Sequence, residues 1–320
     1  MRQIHLVQGM FALSLILLAI SAAIAAPFAY ITNQGANTVS VIDLATNHVV
    51  ETILVSKGPA GVVVDGKQQR VYISNVDGRS VSVISTATRK VVDEIKFDIA
   101  PVGLALTRDG AQLYVADWYS DRIWVVDTKN PKKREYIAIG KAPASMVFNA
   151  SGDRLYVANR DSDEVGVIDS QTHKVMTKIT VGKHPFGMAL SGDGKLLYVV
   201  NVFSNNVSVI DTQSNVVTTK IRVGEHPYCA TSNPDGTRIY VTNTGEDTIS
   251  VIDTTLQKVI ATVDVGGSPE GINYDVAHDR VYVASWMDNQ VTVVDAKTNL
   301  KMQSIPTGAQ SRALGQFIDQ

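Results

Sequence analysis

Two histidines in this chain share one local pattern. The tripeptides HPF at 184–186 and HPY at 226–228 lie forty-two residues apart. Imidazole is a common ligand for zinc, copper and nickel, and it also serves as a general base. A third proline, Pro269, lies forty-two residues after Pro227, and Glu270 follows it directly. The Glu270 carboxylate would complete a metal site with His184 and His226. The spacing therefore predicts a transition-metal site, or a histidine base with metal assistance.

Other residues at these positions suit an organic ligand or a protein partner. Phe186 and Tyr228 follow two of the prolines, and Arg312 holds the corresponding place after a further interval. Aromatic rings bind planar groups, and guanidinium groups bind carboxylates and phosphates. Two alternatives stay open. Arg312 would instead pair with Glu270, and the histidines would be solvated loop side chains that hold no ligand.

The forty-two-residue interval belongs to a repeat that runs through the chain. Seven tyrosines recur at this interval without insertion or deletion, namely Tyr30, Tyr72, Tyr114, Tyr156, Tyr198, Tyr240 and Tyr282. A period this strict indicates one supersecondary unit copied seven times. Residues present in nearly every copy are expected to hold the fold. Residues present in only one or two copies are free to serve a function.

Each copy of the repeat predicts four short strands. Residues 185–224 contain four runs rich in Val, Ile, Thr and Tyr, separated by turns rich in Gly, Asn and Asp. Such runs are typical of antiparallel strands. Four strands in about 42 residues match one blade of a β-propeller. The sequence therefore predicts an all-β, seven-bladed β-propeller of four-stranded antiparallel blades.

The two ends of the repeat predict how the ring closes. The repeat begins near residue 26 with a second strand, and the segment from Arg312 to Ile318 resembles a first strand that no second strand follows. This C-terminal segment would supply the innermost strand of the N-terminal blade and remove the exposed sheet edges. Residues 26–320 are thus predicted to form one propeller domain.

In such a propeller, the loops before each proline and after each second strand open on one face, around the channel mouth. Three consecutive blades carry only small residues beside the proline, and the next four carry the histidines, aromatics, carboxylate and guanidinium. The loops after the second strands add Trp118, Tyr119, Arg160, Phe203, Trp286 and Met287. Aromatic side chains near a concave mouth indicate a binding site, although Trp118 and Trp286 would alternatively pack beneath their own loops. The predicted ligand site at the channel mouth comprises His184, Phe186, His226, Tyr228, Glu270, Arg312, Trp118, Trp286 and Arg160.

Composition narrows the classes of partner. Hydrophobic residues make up 45% of the chain and charged residues 19%, as expected of a folded protein. The formal net charge of −2 provides no basic excess to attract a phosphate backbone, which disfavours nucleic acid. Cys229 is the single cysteine, so the chain forms no intrachain disulfide. Its position matches glycines in other copies and predicts a packing role.

Residues 1–25 have the features of a secretory signal. Arg2 precedes an apolar run at 11–20 and a stretch of small residues that ends at Ala25. Cleavage after Ala25 would leave a periplasmic or secreted protein with no membrane span. The alternative is an uncleaved membrane anchor, for which the apolar run is short.

The recurring pattern resembles the YVTN family of β-propeller repeat proteins. Its motifs are Tyr-Val-X-Asn, as in VYISN, LYVAN, LYVVN and IYVTN, then Val-Ile-Asp, and then Val-Gly-X-X-Pro-X-Gly. The resemblance covers essentially the whole chain after residue 25 and implies a propeller in an extracytoplasmic setting. It implies no single activity, because the family and its relatives include binding scaffolds, surface-layer proteins and domains beside redox cofactors.

Three functions are compatible with these features. The leading prediction is an exported binding scaffold with a ligand, metal or partner site at the channel mouth. The second is a periplasmic enzyme, similar to propeller lyases or lactonases, that uses the histidines with metal assistance. The third is an accessory protein of a redox system that handles a metal, a tetrapyrrole or a quinone. The sequence contains no nucleophile elbow, phosphate loop or dinucleotide fingerprint that would favour the enzyme.

Overall fold

A computed structural model describes residues 27–319, and the predicted signal peptide lies outside this range. The described chain forms seven β-sheets, in which consecutive strands pair antiparallel. The innermost strands of neighbouring sheets contact each other, and these contacts continue around a closed ring. The predicted seven-bladed β-propeller is therefore confirmed. No helix within residues 27–319 has the length and apolarity required to cross a membrane.

The strands of the N-terminal half are β1 (Phe28–Asn33), β2 (Thr38–Asp43), β3 (His48–Leu54), β4 (Pro59–Asp65), β5 (Arg70–Asn75), β6 (Ser80–Ser85), β7 (Lys90–Lys96), β8 (Pro101–Leu106), β9 (Gln112–Asp117), β10 (Arg122–Asp127), β11 (Arg134–Ala138), β12 (Pro143–Phe148), β13 (Arg154–Asn159), β14 (Glu164–Asp169) and β15 (Val175–Thr180). Those of the C-terminal half are β16 (Pro185–Leu190), β17 (Leu196–Asn201), β18 (Asn206–Asp211), β19 (Val216–Arg222), β20 (Pro227–Ser232), β21 (Arg238–Asn243), β22 (Thr248–Asp253), β23 (Lys258–Asp264), β24 (Pro269–Asp275), β25 (Arg280–Ser285), β26 (Gln290–Asp295), β27 (Leu300–Pro306) and β28 (Leu314–Gln316). Two short 3-10 helices, Arg160–Ser162 and Val202–Ser204, lie in loops that follow β13 and β17.

Blade 1 contains β1–β3, and blades 2 to 7 take the next four strands each, from β4–β7 to β24–β27. Each of these blades begins at a proline on its innermost strand. A proline is tolerated at the first residue of a strand because that residue need not donate a ladder hydrogen bond. The repeat in the sequence therefore sets the strand boundaries directly.

The recurring residues hold each blade through short-range hydrogen bonds. In blade 5, the Asp211 carboxylate accepts the backbone N–H of Ser214 at 2.7 Å, which shapes the turn between β18 and β19. The Asn201 amide nitrogen donates to the Ser208 hydroxyl at 2.9 Å, and the Asn201 oxygen accepts the N–H of Gly182 at 3.0 Å. These side chains replace backbone partners that the turns lack. Their function is structural.

The seven repeated tyrosines form the core between blades. Each is at most 1% exposed, and burial raises the pKa of Tyr114, for example, to about 12. The Tyr240 hydroxyl donates to the backbone oxygen of Ala296 in the next blade at 3.3 Å. Each ring thus buries a large apolar area, and the hydroxyls of Tyr114, Tyr156, Tyr240 and Tyr282 reach a backbone oxygen of the neighbouring blade.

The C-terminal segment closes the ring as predicted, but it pairs with two blades. Ser311 and Ile318 form isolated antiparallel bridges with β1, so the segment supplies the innermost edge of blade 1. Between them, β28 pairs in parallel with β4 and becomes the fifth strand of the blade 2 sheet. Gly315 allows this inward turn because its φ of 119° is strained for any residue with a side chain. One short segment therefore joins both blades.

The innermost strands approach each other most closely at their third residue. A Cβ at Gly103 would overlap the backbone oxygen of Ala144 on the next blade. Gly103→Ala is therefore expected to lower the free energy of unfolding by roughly 1–3 kcal/mol, because the backbone must shift to relieve the overlap. Urea unfolding measures this change. The control is Ser145→Ala at the matching position of blade 4, and equal stability of Gly103→Ala and the parent would contradict the prediction.

Candidate functional site

The loops that carry the predicted site residues lie together on one face of the ring. In blades 2 to 7, the residue after the second strand donates its backbone N–H to the carbonyl of the residue before the proline, and in blade 1 Gln34 donates to Gln310 in the same way. Val202 and His184 make this bond at 3.0 Å in blade 5, and Thr244 and His226 make it at 3.0 Å in blade 6. The paired loops therefore form one continuous rim around the channel mouth, as predicted from the repeat.

Both histidines occupy a left-handed backbone conformation. The φ angles are 54° for His184 and 46° for His226, and Gly58, Ala142, Ser268 and Gln310 share this conformation at the same position of other blades. The carboxylate of Asp163 accepts the N–H of His184 at 2.9 Å, and the amide oxygen of Asn205 accepts that of His226 at 3.0 Å. Histidine is one of the residue types that tolerate positive φ. These hydrogen bonds thus fix the backbone position from which each imidazole projects.

An exposed phenylalanine stands between the two imidazoles. Phe203 lies in a 3-10 helix and is 61% exposed. Its ring centroid is 4.2 Å from that of His184 and 6.1 Å from that of His226. His184 Nε2 lies 3.5 Å from an Asp161 carboxylate oxygen. The three rings of His184, Phe203 and His226 form a surface that we call the imidazole–phenyl rim.

Four apolar side chains close the mouth of the channel. Phe186 and Tyr228 stack with ring centroids 4.1 Å apart, and the Trp118 ring meets Phe186 edge-on at 5.9 Å. Leu314 of the closing segment packs into the same cluster. These four residues form a mouth plug. The channel beneath it holds a cavity of about 70 Å³, with Cys229 in its wall. Phe186 and Tyr228 therefore fill the channel entrance with packed side chains.

Glu270 and Arg312 form a buried ion pair beside this plug. Arg312 Nε lies 2.5 Å from one Glu270 oxygen, and its Nη2 lies 3.2 Å from the other. Arg312 also donates to the Tyr228 hydroxyl and to Gln34 Oε1, both at 3.2 Å, and the Trp286 indole N–H donates to the same Gln34 oxygen at 3.3 Å. Burial raises the pKa of Glu270, and Arg312 offsets part of that increase. Pairing with Glu270 thus accounts for the placement of Arg312.

The described residues do not assemble the predicted metal set. Both oxygens of Glu270 face Arg312, and Phe203 separates the imidazoles of His184 and His226. Within residues 27–319, no group of three or more His, Cys, Asp or Glu side chains is placed to hold a metal ion. Equal positions on adjacent blades bring two backbones close, but they do not make the side chains converge on one point.

The remaining predicted residues pack around the plug. The Arg160 guanidinium lies 4.4 Å from the centre of the Trp118 ring and pairs with Asp161 at 2.8 Å. Trp118 is half-buried by these contacts, so it packs beneath its loop as well as facing the mouth. Arg160 connects the plug with the imidazole–phenyl rim. Its guanidinium contacts Trp118 of the plug, and the Asp161 carboxylate with which it pairs also lies beside His184.

Three residues of the site are absent from the set predicted from the sequence. Phe203 carries a signal in the sequence, because it is an aromatic residue in a loop and its position matches Tyr119 and Met287 on other blades. Gln34 and Asp161 carried none, because a polar residue is ordinary in a loop. Only the folded rim shows that Gln34 connects Arg312 with Trp286.

Two protein families match parts of this chain. The cytochrome D1 heme domain matches residues 55–193, and the YNCE-like beta-propeller matches residues 188–280. The first range contains the plug residues Trp118 and Phe186, and the second contains His226 and Glu270. No curated protein sequence matches the chain.

Solved propeller structures are similar over most of the chain. Hydrazine synthase of Kuenenia stuttgartiensis is 25% identical with a TM-score of 0.73, over 80% of this chain and 88% of that one. A functionally unknown protein from Desulfotomaculum acetoxidans is 12% identical with a TM-score of 0.76, over 90% of this chain and 99% of that one. Dihydro-heme d1 dehydrogenase NirN, in complex with DHE, is 14% identical with a TM-score of 0.70, over 92% of this chain and 75% of that one. The last two share the fold alone. The chain is thus a seven-bladed β-propeller, similar over part of its length to a heme domain.

Proposed function

We propose that this protein is an accessory component of an exported redox or cofactor system, and that its imidazole–phenyl rim binds a planar conjugated ligand. The observation that carries this proposal is the exposure of Phe203 between His184 and His226. A flat apolar ring offers a stacking surface, and the flanking imidazoles offer nitrogen donors. The similarity to the cytochrome D1 heme domain and to hydrazine synthase favours this role over a general scaffold.

The cavity directly beneath the mouth plug is too small for a tetrapyrrole. The mouth plug closes the entrance, and the cavity beneath it measures about 70 Å³, whereas ligand pockets typically span roughly 300–1,000 Å³. Arg160 and Arg312 would be suitable partners for the carboxylates of such a ligand, but each already pairs with a carboxylate of the protein. We therefore place the proposed ligand across the rim, outside the plug.

The proposed setting is the periplasm or the extracellular space. The apolar run at 11–20 and the small residues that end at Ala25 support a cleaved signal peptide. The repeated Tyr-Val-X-Asn and Val-Ile-Asp motifs support membership of the YVTN repeat type within the propellers. Sequencing the N-terminus of the protein purified from its native host tests the setting, and a retained Met1 would contradict it.

Phe203→Ala is expected to weaken porphyrin binding about two- to tenfold, because stacking on an aromatic ring contributes roughly 0.5–1.5 kcal/mol beyond area burial. The probes are iron protoporphyrin IX and metal-free protoporphyrin IX, titrated by absorbance. The double variant His184→Ala/His226→Ala is expected to abolish the spectral change that marks imidazole coordination of iron. It is expected to retain binding of the metal-free form.

Tyr119 provides a matched control for this experiment. It holds the loop position of Phe203 on blade 3 and is 82% exposed, but the residue before its proline is Ala100 instead of histidine. Tyr119→Ala is therefore expected to leave binding unchanged. Equal weakening by Phe203→Ala and Tyr119→Ala, or the absence of binding by either porphyrin, would overturn the proposed function.

A further inference from the structure

The outer hairpin of blade 3 departs from the repeat. Residues 129–134, with the sequence KNPKKR, carry four cationic side chains, whereas the same six positions of every other blade carry none to two. Pro131 replaces a residue that has positive φ in other blades, such as Asn215 at 57° and Asn299 at 58°. Proline cannot adopt that conformation. Both the shape and the charge of this hairpin are therefore specific to blade 3.

Aromatic rings hold the arginines of this blade in place. The Arg134 guanidinium lies 5.1 Å from the centre of the Phe97 ring and 5.5 Å from that of Trp124. The Arg122 guanidinium lies 5.0 Å from the Tyr136 ring. Trp124 stands where the other blades have serine, threonine or glycine. Cation–π contacts of this kind fix a guanidinium without neutralising its charge.

A groove lies between the outermost strand of blade 2, β7, and the turn that joins β10 to β11 in blade 3, with a volume of about 500 Å³. We call it the basic groove, and its charged lining consists of Asp93, Glu94, Lys96, Lys129, Lys132 and Arg134. Glu94 is paired with Lys96 at 2.7 Å. Within residues 27–319, no carboxylate forms an ion pair with Lys129, Lys132 or Arg134. Arg134 Nη1 donates to the backbone oxygen of Lys96 at 2.7 Å, which holds the guanidinium in place without neutralising it, so all three cations keep their charge for a ligand.

We propose that the basic groove binds an acidic, extended segment of a partner polypeptide. The cations of the groove complement carboxylates. Because the Arg134 guanidinium is already held in place, less side-chain entropy is lost when a ligand binds. The groove runs along β7, the outermost strand of the blade 2 sheet, whose free edge offers backbone donors and acceptors to an extended chain. A recess beside a free strand edge suits an extended peptide better than a flat membrane surface. The protein carries a net charge of −2, so this attraction is local.

The test compares two double variants that change the net charge equally. Lys129→Glu/Lys132→Glu alters the groove, and Lys258→Glu/Lys297→Glu alters the corresponding positions on blades 6 and 7. All four lysines are exposed, so both proteins are expected to fold as the parent does. The probe is a fluorescent oligoglutamate peptide, titrated at low and at physiological salt. The groove variant is expected to lose about tenfold or more in affinity and the control variant little, with weaker binding as salt increases.

Two results would overturn the proposal. Equal losses in the two double variants would show that the peptide senses overall charge instead of the groove. Binding to vesicles that contain phosphatidylglycerol, lost in the groove variant and accompanied by no peptide binding, would assign the groove to a membrane surface. Phe203→Ala is expected to bind the peptide normally, which separates this proposal from the proposed function of the rim.

Discussion

Arg312→Ala is expected to lower the free energy of unfolding by about 3–5 kcal/mol, because it leaves a buried carboxylate without its counter-charge. Glu270 is 8% exposed and receives two hydrogen bonds from the Arg312 guanidinium. The same guanidinium donates to Tyr228 on blade 6 and to Gln34 on blade 1. One substitution therefore removes contacts that connect three blades at the point where the ring closes.

The pH dependence of this loss distinguishes an unpaired charge from lost packing. Burial raises the pKa of Glu270, and removal of Arg312 eliminates the group that offsets this increase. A raised pKa in the folded state means that the folded protein favours protonated Glu270. The deficit of Arg312→Ala is therefore expected to be smallest below the ordinary carboxyl pKa and to grow as pH rises through the folded-state value. Urea unfolding at a series of pH values measures this dependence.

A double variant completes this experiment. Arg312→Leu/Glu270→Leu replaces both charges by apolar groups and is expected to recover most of the stability lost in Arg312→Ala, because no buried charge remains. If Arg312→Ala were as stable as the parent, the ion pair would contribute nothing to closure of the ring. A double variant less stable than Arg312→Ala would show that packing of the Glu270 stem dominates.

The fold was predictable because the repeat encodes it locally. Tyr114 and its six equivalents mark one strand per blade, and the aspartates typified by Asp211 mark the turns. Each such residue acts within its own blade or against the next one, so the periodic sequence carries the information. The parallel pairing of β28 with β4 was not predicted, because it depends on the positive φ of Gly315 and occurs once.

The site was predictable to the level of the rim and no further. The sequence placed His184 and His226 on adjacent blades, but it did not predict that the Phe203 ring would contact both imidazoles. From the sequence, Arg312 could either pair with Glu270 or bind an anionic ligand. The two hydrogen bonds between Arg312 and Glu270 favour the pairing. The basic groove was not predicted for a different reason. The net charge of the whole chain is −2, and this total does not show that four cations lie within six residues.

Phe317→Ala is the second substitution with a large expected effect. Phe317 is fully buried in a core cluster that includes Tyr30 and Val41 of blade 1 and Tyr282 of blade 7. Its backbone oxygen accepts the N–H of Tyr30 at 2.8 Å. Truncation of a buried phenylalanine costs about 3–5 kcal/mol, because the removed ring leaves a cavity. The expected result is a loss of this size in urea unfolding. Gln316→Ala, which changes an exposed neighbour in the same segment, is expected to stay within about 0.5 kcal/mol of the parent.

Phe317→Ala also tests whether porphyrin binding at the imidazole–phenyl rim depends on closure of the ring. If the closing segment detaches, the free edge of β1 becomes available to other molecules, so sedimentation velocity is expected to show self-association near the unfolding midpoint. Porphyrin binding is expected to persist at low temperature, because Phe317 packs among residues of blades 1 and 7, whereas the imidazole–phenyl rim belongs to blades 5 and 6. Arg312→Ala, in contrast, disturbs the plug through Tyr228 as well as the closure. Equal loss of porphyrin binding in both variants would mean that an intact ring, and not the local rim, controls access to the ligand.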